Sequence, residues 1–110
     1  MTELSRKSRG STSGRPITVL LDVLGQRSTL RILWELRSGP LTFRALDEAC
    51  GGLSPTLLNG RLKRLRRLHL VEHIEGCGYA LTRDGTTLGE LLVPLNRWAE
   101  RWEKKNRTHD

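Results

Sequence analysis

The chain has 110 residues, the size of one domain, and its 36% hydrophobic and 28% charged residues make a globular rather than disordered composition. Lys and Arg number 19 against 12 Asp and Glu, a net charge of +7, which points to a polyanionic partner, with nucleic acid ahead of an anionic membrane surface. No apolar run approaches the ~18 residues that span a bilayer, no signal-peptide pattern precedes or follows Asp22, and two cysteines are too few for a disulfide framework. The expectation is a small cytoplasmic domain with no membrane role and reduced thiols.

Residues 1–15 carry Arg6, Lys7, Arg9 and Arg15 against Glu3 and almost no apolar side chains, which reads as a flexible basic arm. Pro16 then starts a helix with Ile17, Leu20, Leu21 and Leu24 at helical spacing, ended by Gly25. Val19 and Val23 make its apolar stripe wider than one core face needs. Ser28 is expected to cap a second helix to about Arg37, with Leu30, Leu33, Trp34 and Leu36 inward and Gly39-Pro40 as the stop. Thr42 caps a short third helix over residues 43–50, presenting Phe43, Leu46 and Cys50. After Gly51-Gly52, Ser54-Pro55 pairs a capping hydroxyl with Pro at the first helical position, opening a fourth helix to about Leu68. Residues 69–75 and 79–81 read as two short strands around the turn Gly76-Cys77-Gly78. Thr82 caps a last helix over roughly residues 86–105, with Leu88, Leu91, Leu92, Leu95, Trp98, Ala99 and Trp102 in its stripe and Pro94 implying a kink or a late start. Residues 106–110 read as a disordered tail, and residues 16–105 as the folded domain.

The predicted fold is mainly α with a small β-hairpin. Two helices joined by a short turn containing Gly have the layout of a helix-turn-helix, and the hairpin after them makes it a winged version. With Leu58, Leu62 and Leu65 buried on the fourth helix, its opposite face carries Thr56, Gly60, Lys63, Arg64 and Arg67, flanked by Asn59. Residues 54–68 hold five cations (Arg61 and Arg66 being the other two) and no acid. Fifteen of the chain's 19 cations are Arg, the side chain with the forked geometry for phosphate and guanine. In a major groove, the small and polar first turns suit base edges, which assigns bases to Thr56, Asn59, Gly60 and Lys63. The basic end suits phosphates, which assigns Arg61, Arg64 and Arg67 to the backbone. The amides after Ser54 add an anion-friendly terminus. The competing reading is a solvated amphipathic helix in an Arg-rich protein.

The sequence also resembles a known family. Leu24-Gly25, Ile32-Leu33 and Leu36, Gly39-Pro40-Leu41 and Phe43, Leu46, Gly52-Leu53-Ser54-Pro55, Leu58, Arg61-Leu62, Leu65, Leu70-Val71-Glu72, Tyr79, Leu81-Thr82, Gly85 and Trp98 look like the HxlR-type transcriptional regulators, winged-helix relatives of the MarR regulators. The likeness covers about residues 20–102. It implies a homodimeric, cytoplasmic, DNA-binding bacterial or archaeal regulator that dimerises through its first and last helices. Those helices carry Ile17, Leu20, Leu21 and Leu24, and Leu91, Leu95, Trp98 and Trp102. The Cys-Pro pair found ahead of the first helix in many members is Arg15-Pro16 here, so their redox mechanism does not carry over. Gly25-Gln26-Arg27 replaces the family's Gly-Lys-Trp, and the wing is short, with Gly76-Cys77-Gly78 at its tip and no cation there.

Other constellations are weaker. His69, His73 and Cys77 fall four residues apart but cross a helix end, a strand and a turn, with no fourth ligand near, so no metal is expected. Cys77 reads as a surface thiol and Cys50 as core. Trp98 and Trp102, at helical spacing, read as core or dimer interface rather than a ligand pocket. No nucleophile motif, phosphate loop or carboxylate pair indicates an enzyme, and no cofactor is expected. The sequence thus predicts a sequence-specific regulator binding double-stranded DNA as a homodimer on a near-palindromic operator, open to an unknown small-molecule effector. The alternative is a winged-helix module that docks a partner protein without reading DNA.

Overall fold

A computed structural model describes residues 15–109, with side chains through Arg107. The order of elements is α1 (Pro16–Leu24), α2 (Thr29–Glu35) with a 3-10 turn at Leu36–Ser38, α3 (Phe43–Ala49), α4 (Pro55–Arg67), β1 (Val71–Ile74), β2 (Gly78–Leu81) and α5 (Arg83–His109). β1 and β2 form an antiparallel hairpin with Val71 opposite Leu81 and Ile74 opposite Gly78. This is a winged helix-turn-helix.

Three side-chain caps sit where the sequence places them. Oγ1 of Thr42 accepts from the Ala45 amide and Oγ of Ser54 from the Leu57 amide, both at 3.1 Å. Oγ1 of Thr82 accepts from the Gly85 amide at 3.0 Å and donates to the His69 carbonyl at 2.6 Å, clipping the end of α4 to the start of α5. Each hydroxyl satisfies an amide that the helix itself leaves without a partner.

The core joins Val23, Ile32, Leu33, Leu36, Leu46, Leu58, Leu62, Leu65, Val71 and Leu92. All five helices and β1 contribute to it. On α1 the inward residues are Val19 and Val23, while Ile17 and Leu21 stay more than half exposed. On α2 the structure corrects two expectations. Ser28 makes no side-chain cap and sits in the left-handed region at φ 70°, whereas a capping residue typically presents its hydroxyl to the first amides from extended backbone. Leu30 points to solvent at 41% exposure, and Ile32 takes its place in the core at 0%. The buried set Thr29, Ile32, Leu33 and Leu36 keeps the three- and four-residue spacing of one helical face.

The ends of α3 and α4 close alike. Gly51 and Gly52 donate to the Glu48 and Asp47 carbonyls, and His69 and Leu70 donate to the Arg66 and Leu65 carbonyls. This is the Schellman pattern, which needs a left-handed residue just past the helix. Gly51 serves the first at φ 87°, but the second falls to His69 at φ 60°. His69 and Leu70 are therefore helix closure, and β1 starts at Val71, two residues later than expected. The sequence reading also has no counterpart for the bridge between Leu41 and Tyr79, whose amides and carbonyls bond reciprocally at 2.8 and 2.9 Å. Gly78 permits it: with φ 103°, a side chain there would overlap the Leu41 carbonyl. α5 begins at Arg83, earlier than expected, contains Pro94, and continues through residues 106–109, which were expected to form a tail.

Candidate nucleic-acid interface

α4 is amphipathic to its full length. Leu58, Leu62 and Leu65 are 0–1% exposed, and the opposite face presents Thr56, Asn59, Gly60, Lys63 and Arg67 to solvent. Nothing lies within 4 Å of where a Gly60 Cβ would sit, so the helix backbone is bare at the middle of this face. Pro55 and the Ser54 cap fix the helix start, leaving the first turn free of a side chain larger than Thr56 on the outer face. The arm residues Arg6, Lys7 and Arg9 lie outside the described residues, and Arg15 is exposed just ahead of α1.

The five cations of α4 are not equivalent. Arg61 is half-buried, and its Nε donates to the Arg27 carbonyl at 2.8 Å, tying α4 to the turn after α1. Arg64 is half-buried as well and engaged within the fold. Lys63, Arg66 and Arg67 are exposed and make no ion pair or side-chain hydrogen bond among the described residues. Arg66 is the one that sequence reasoning missed as a site residue. On a helical wheel it falls beside the Lys63–Arg67 row, and its setting is created only when the chain reverses after α4 and lays β1 alongside.

That reversal forms a cleft of about 710 Å3. Lys63, Arg66 and Arg67 line it from α4, and His69, Glu72 and His73 line it from the turn and β1. The His73 ring also packs edge-on against Tyr79, with centroids 4.9 Å apart. The hairpin tip, Glu75-Gly76-Cys77, is exposed and carries no cation. Among the described residues, no group of three or more His, Cys, Asp or Glu is placed to hold a metal ion. Cys77 is exposed and Cys50 buried. Burial pushes the Cys50 thiol above its ordinary pKa, Glu35 adds to that rise, Arg31 opposes it and Asp47 adds again.

A second surface is apolar. Ile17 and Leu21 on α1 are 56% and 58% exposed, and Leu91, Leu95, Trp98 and Trp102 on α5 are 53–65% exposed. Leu20 and Leu24 are half-buried beside them. The rings of Trp98 and Trp102 stack on each other, with centroids 5.9 Å apart and planes within 11°, so these tryptophans cover one another rather than enter the core. Between α2 and α5 lies a groove of about 360 Å3, formed by Leu30, Trp34, Leu92, Leu95 and Ala99 with Arg31 and Asn96 at its polar points.

This arrangement agrees with what similarity to other proteins reveals. The model of the HxlR-like helix-turn-helix family matches residues 23–107, from the end of α1 almost to the end of α5. The chain belongs to the HxlR-like helix-turn-helix family. The HTH-type transcriptional regulator MJ0925 of Methanocaldococcus jannaschii is 30% identical over 86 residues, 74% of this chain and 80% of that protein. The HTH-type transcriptional regulator YvaP of Bacillus subtilis is 30% identical over 88 residues, 74% of this chain and 82% of that protein. The structure of quinone-bound YodB from B. subtilis is 29% identical and superposes with a TM-score of 0.71, covering 77% of this chain and 94% of YodB. The HxlR-like chain is thus a DNA-binding transcriptional regulator of the helix-turn-helix type, and α4 is the second helix of that motif.

Proposed function

We propose that this regulator acts as a homodimer on a near-palindromic operator, in the cytoplasm, reading sequence through α4 and performing no catalysis. Thr56, Asn59, Gly60 and Lys63 face the bases, while Arg61, Arg64 and Arg67 lie along phosphate. The observation that carries this reading is the outer face of α4, where a bare, small-residue half adjoins exposed cations with no acid between them. The N-terminal arm, with Arg6, Lys7, Arg9 and Arg15, supplies additional non-specific attraction, as N-terminal arms do in other DNA-binding folds.

The dimer reading rests on the apolar faces of α1 and α5, which leave six large side chains more than half exposed, a surface that monomers rarely present to water. A two-fold dimer presents two copies of α4 and so calls for a repeated half-site. The quinone bound to YodB supports a small-molecule effector here too, and the apolar groove between α2 and α5 suits an aromatic compound. Selection from a random duplex pool, followed by sedimentation with and without the selected DNA, tests all of this. The expected outcome is an enriched sequence with two-fold symmetry and a dimer that Leu91→Asp shifts toward monomer, with circular dichroism showing that the fold is kept. A wild-type monomer that enriches no sequence would refute the reading. It would also favour the docking-module alternative, to which the cation-free wing tip lends support.

A further inference from the structure

The cleft between α4 and β1 gathers Lys63, Arg66 and Arg67 opposite His69 and His73, with Glu72 as the one carboxylate in its lining. Three cations held around one concavity repel each other, and none of the three is compensated by an ion pair among the described residues. Such an arrangement is stabilised by an anion from outside. The backbone at His69 is a second, independent observation. It holds φ 60°, a conformation that a residue other than glycine adopts only with strain, yet the side chain standing there is an imidazole that lines the cleft. A ring N–H of an imidazole can donate a hydrogen bond to a phosphate oxygen.

We propose that this cleft is a phosphate seat, gripped by Arg66 together with Arg67, His69 and His73, while Lys63, which also lines it, reaches on to the bases. It anchors the DNA backbone beside the bases that α4 faces, in place of the cation-free wing tip. The proposal rests on the regulator reading above and adds Arg66, His69 and His73 to it. Two sources of phosphate share this chemistry, the DNA backbone and a free phosphate-bearing effector. The lining favours the backbone: effector pockets are mostly apolar with a few polar groups, whereas this cleft gathers Lys63, Arg66 and Arg67 against the single carboxylate of Glu72, and it is open and continuous through Lys63 and Arg67 with the outer face of α4. The groups facing the two imidazoles are Lys63, Arg66 and Arg67 from α4, Glu72 from β1, Tyr79 from β2 and Thr82 from the start of α5.

The test measures random-sequence duplex binding by fluorescence anisotropy at three salt concentrations. Wild type is compared with Arg66→Ala, the His69→Gly/His73→Gln double variant, and Arg97→Ala, which removes an exposed cation on α5 far from the cleft in sequence. A backbone contact predicts that Arg66→Ala weakens binding about five- to tenfold and lowers the magnitude of the log–log salt slope by about one. Arg97→Ala, with the same loss of net charge, should leave the slope unchanged. The double variant should also weaken duplex binding, by a smaller factor than Arg66→Ala. Inorganic pyrophosphate is titrated in parallel. If Arg66→Ala leaves DNA binding unchanged but abolishes saturable pyrophosphate binding, the seat serves a free ligand and the backbone assignment is overturned. If it changes neither, the seat does not exist. If wild type binds no duplex at all, it is the regulator reading that falls, an outcome distinct from these.

Discussion

Gly60 offers a perturbation that should move stability and DNA affinity in opposite directions. It lies inside α4, and a Cβ built there meets nothing within 4 Å. Gly60→Ala therefore introduces no clash in the free protein and removes the backbone entropy that glycine brings to a helix interior, a gain of about 0.8–1 kcal/mol. For a domain near 100 residues that raises the melting temperature by roughly 4–8 °C. On DNA the sign reverses. A methyl group on the bare centre of the outer face pushes the helix axis away from the groove floor and stretches the contacts of Thr56, Asn59 and Lys63 together. A tenfold loss corresponds to about 1.4 kcal/mol, and one or more such factors is expected on a selected operator, with a larger loss for Gly60→Leu. The assay pairs thermal unfolding by circular dichroism with anisotropy on the operator. A variant that melts higher and binds the operator as tightly as wild type would show that the α4 backbone does not approach the bases at this position.

Two further outcomes follow from local geometry. His69→Gly should raise stability by about 1 kcal/mol, because the Schellman closure of α4 requires a left-handed residue; urea unfolding measures it, and a loss of stability would mean that the imidazole itself holds the hairpin against α4. Cys77 should react with a thiol reagent at mildly alkaline pH in the native protein while Cys50 stays protected by its burial and raised pKa, so one equivalent should react quickly and the second only after denaturant is added; two fast equivalents would contradict the buried placement of Cys50.

Much of this molecule is legible in the chain because the deciding interactions span five residues or fewer. The Thr42, Ser54 and Thr82 caps each reach an amide three residues ahead. The stripe of Leu58, Leu62 and Leu65 depends only on helical period, and Gly51-Gly52 closes α3 through carbonyls in its own last turn. Local chemistry of this kind sets where helices begin and end, which faces are apolar, and hence the helix-turn-helix with its hairpin. The outer face of α4, with Thr56, Asn59, Gly60, Lys63 and Arg67, is readable on the same ground, but Arg64, expected on that face, is half-buried and engaged within the fold.

Tertiary structure decided what each group was free to do. Whether Leu30 or Ile32 enters the core depends on how α2 is rotated by the turn at Ser28, and nothing within α2 itself determines that rotation. Arg61 looks like its neighbours in the sequence, yet the Arg27 carbonyl, 34 residues away, takes its Nε. Gly85 falls just ahead of the last helix expected from the sequence, and only the fold sets the Leu70 carbonyl where its side chain would be. The cleft holding Arg66, His69 and His73 exists only because the end of α4, the left-handed turn and β1 fold back on one another. A cation's charge is written in its residue type; its availability to a phosphate depends on which distant backbone oxygens and carboxylates the fold brings beside it.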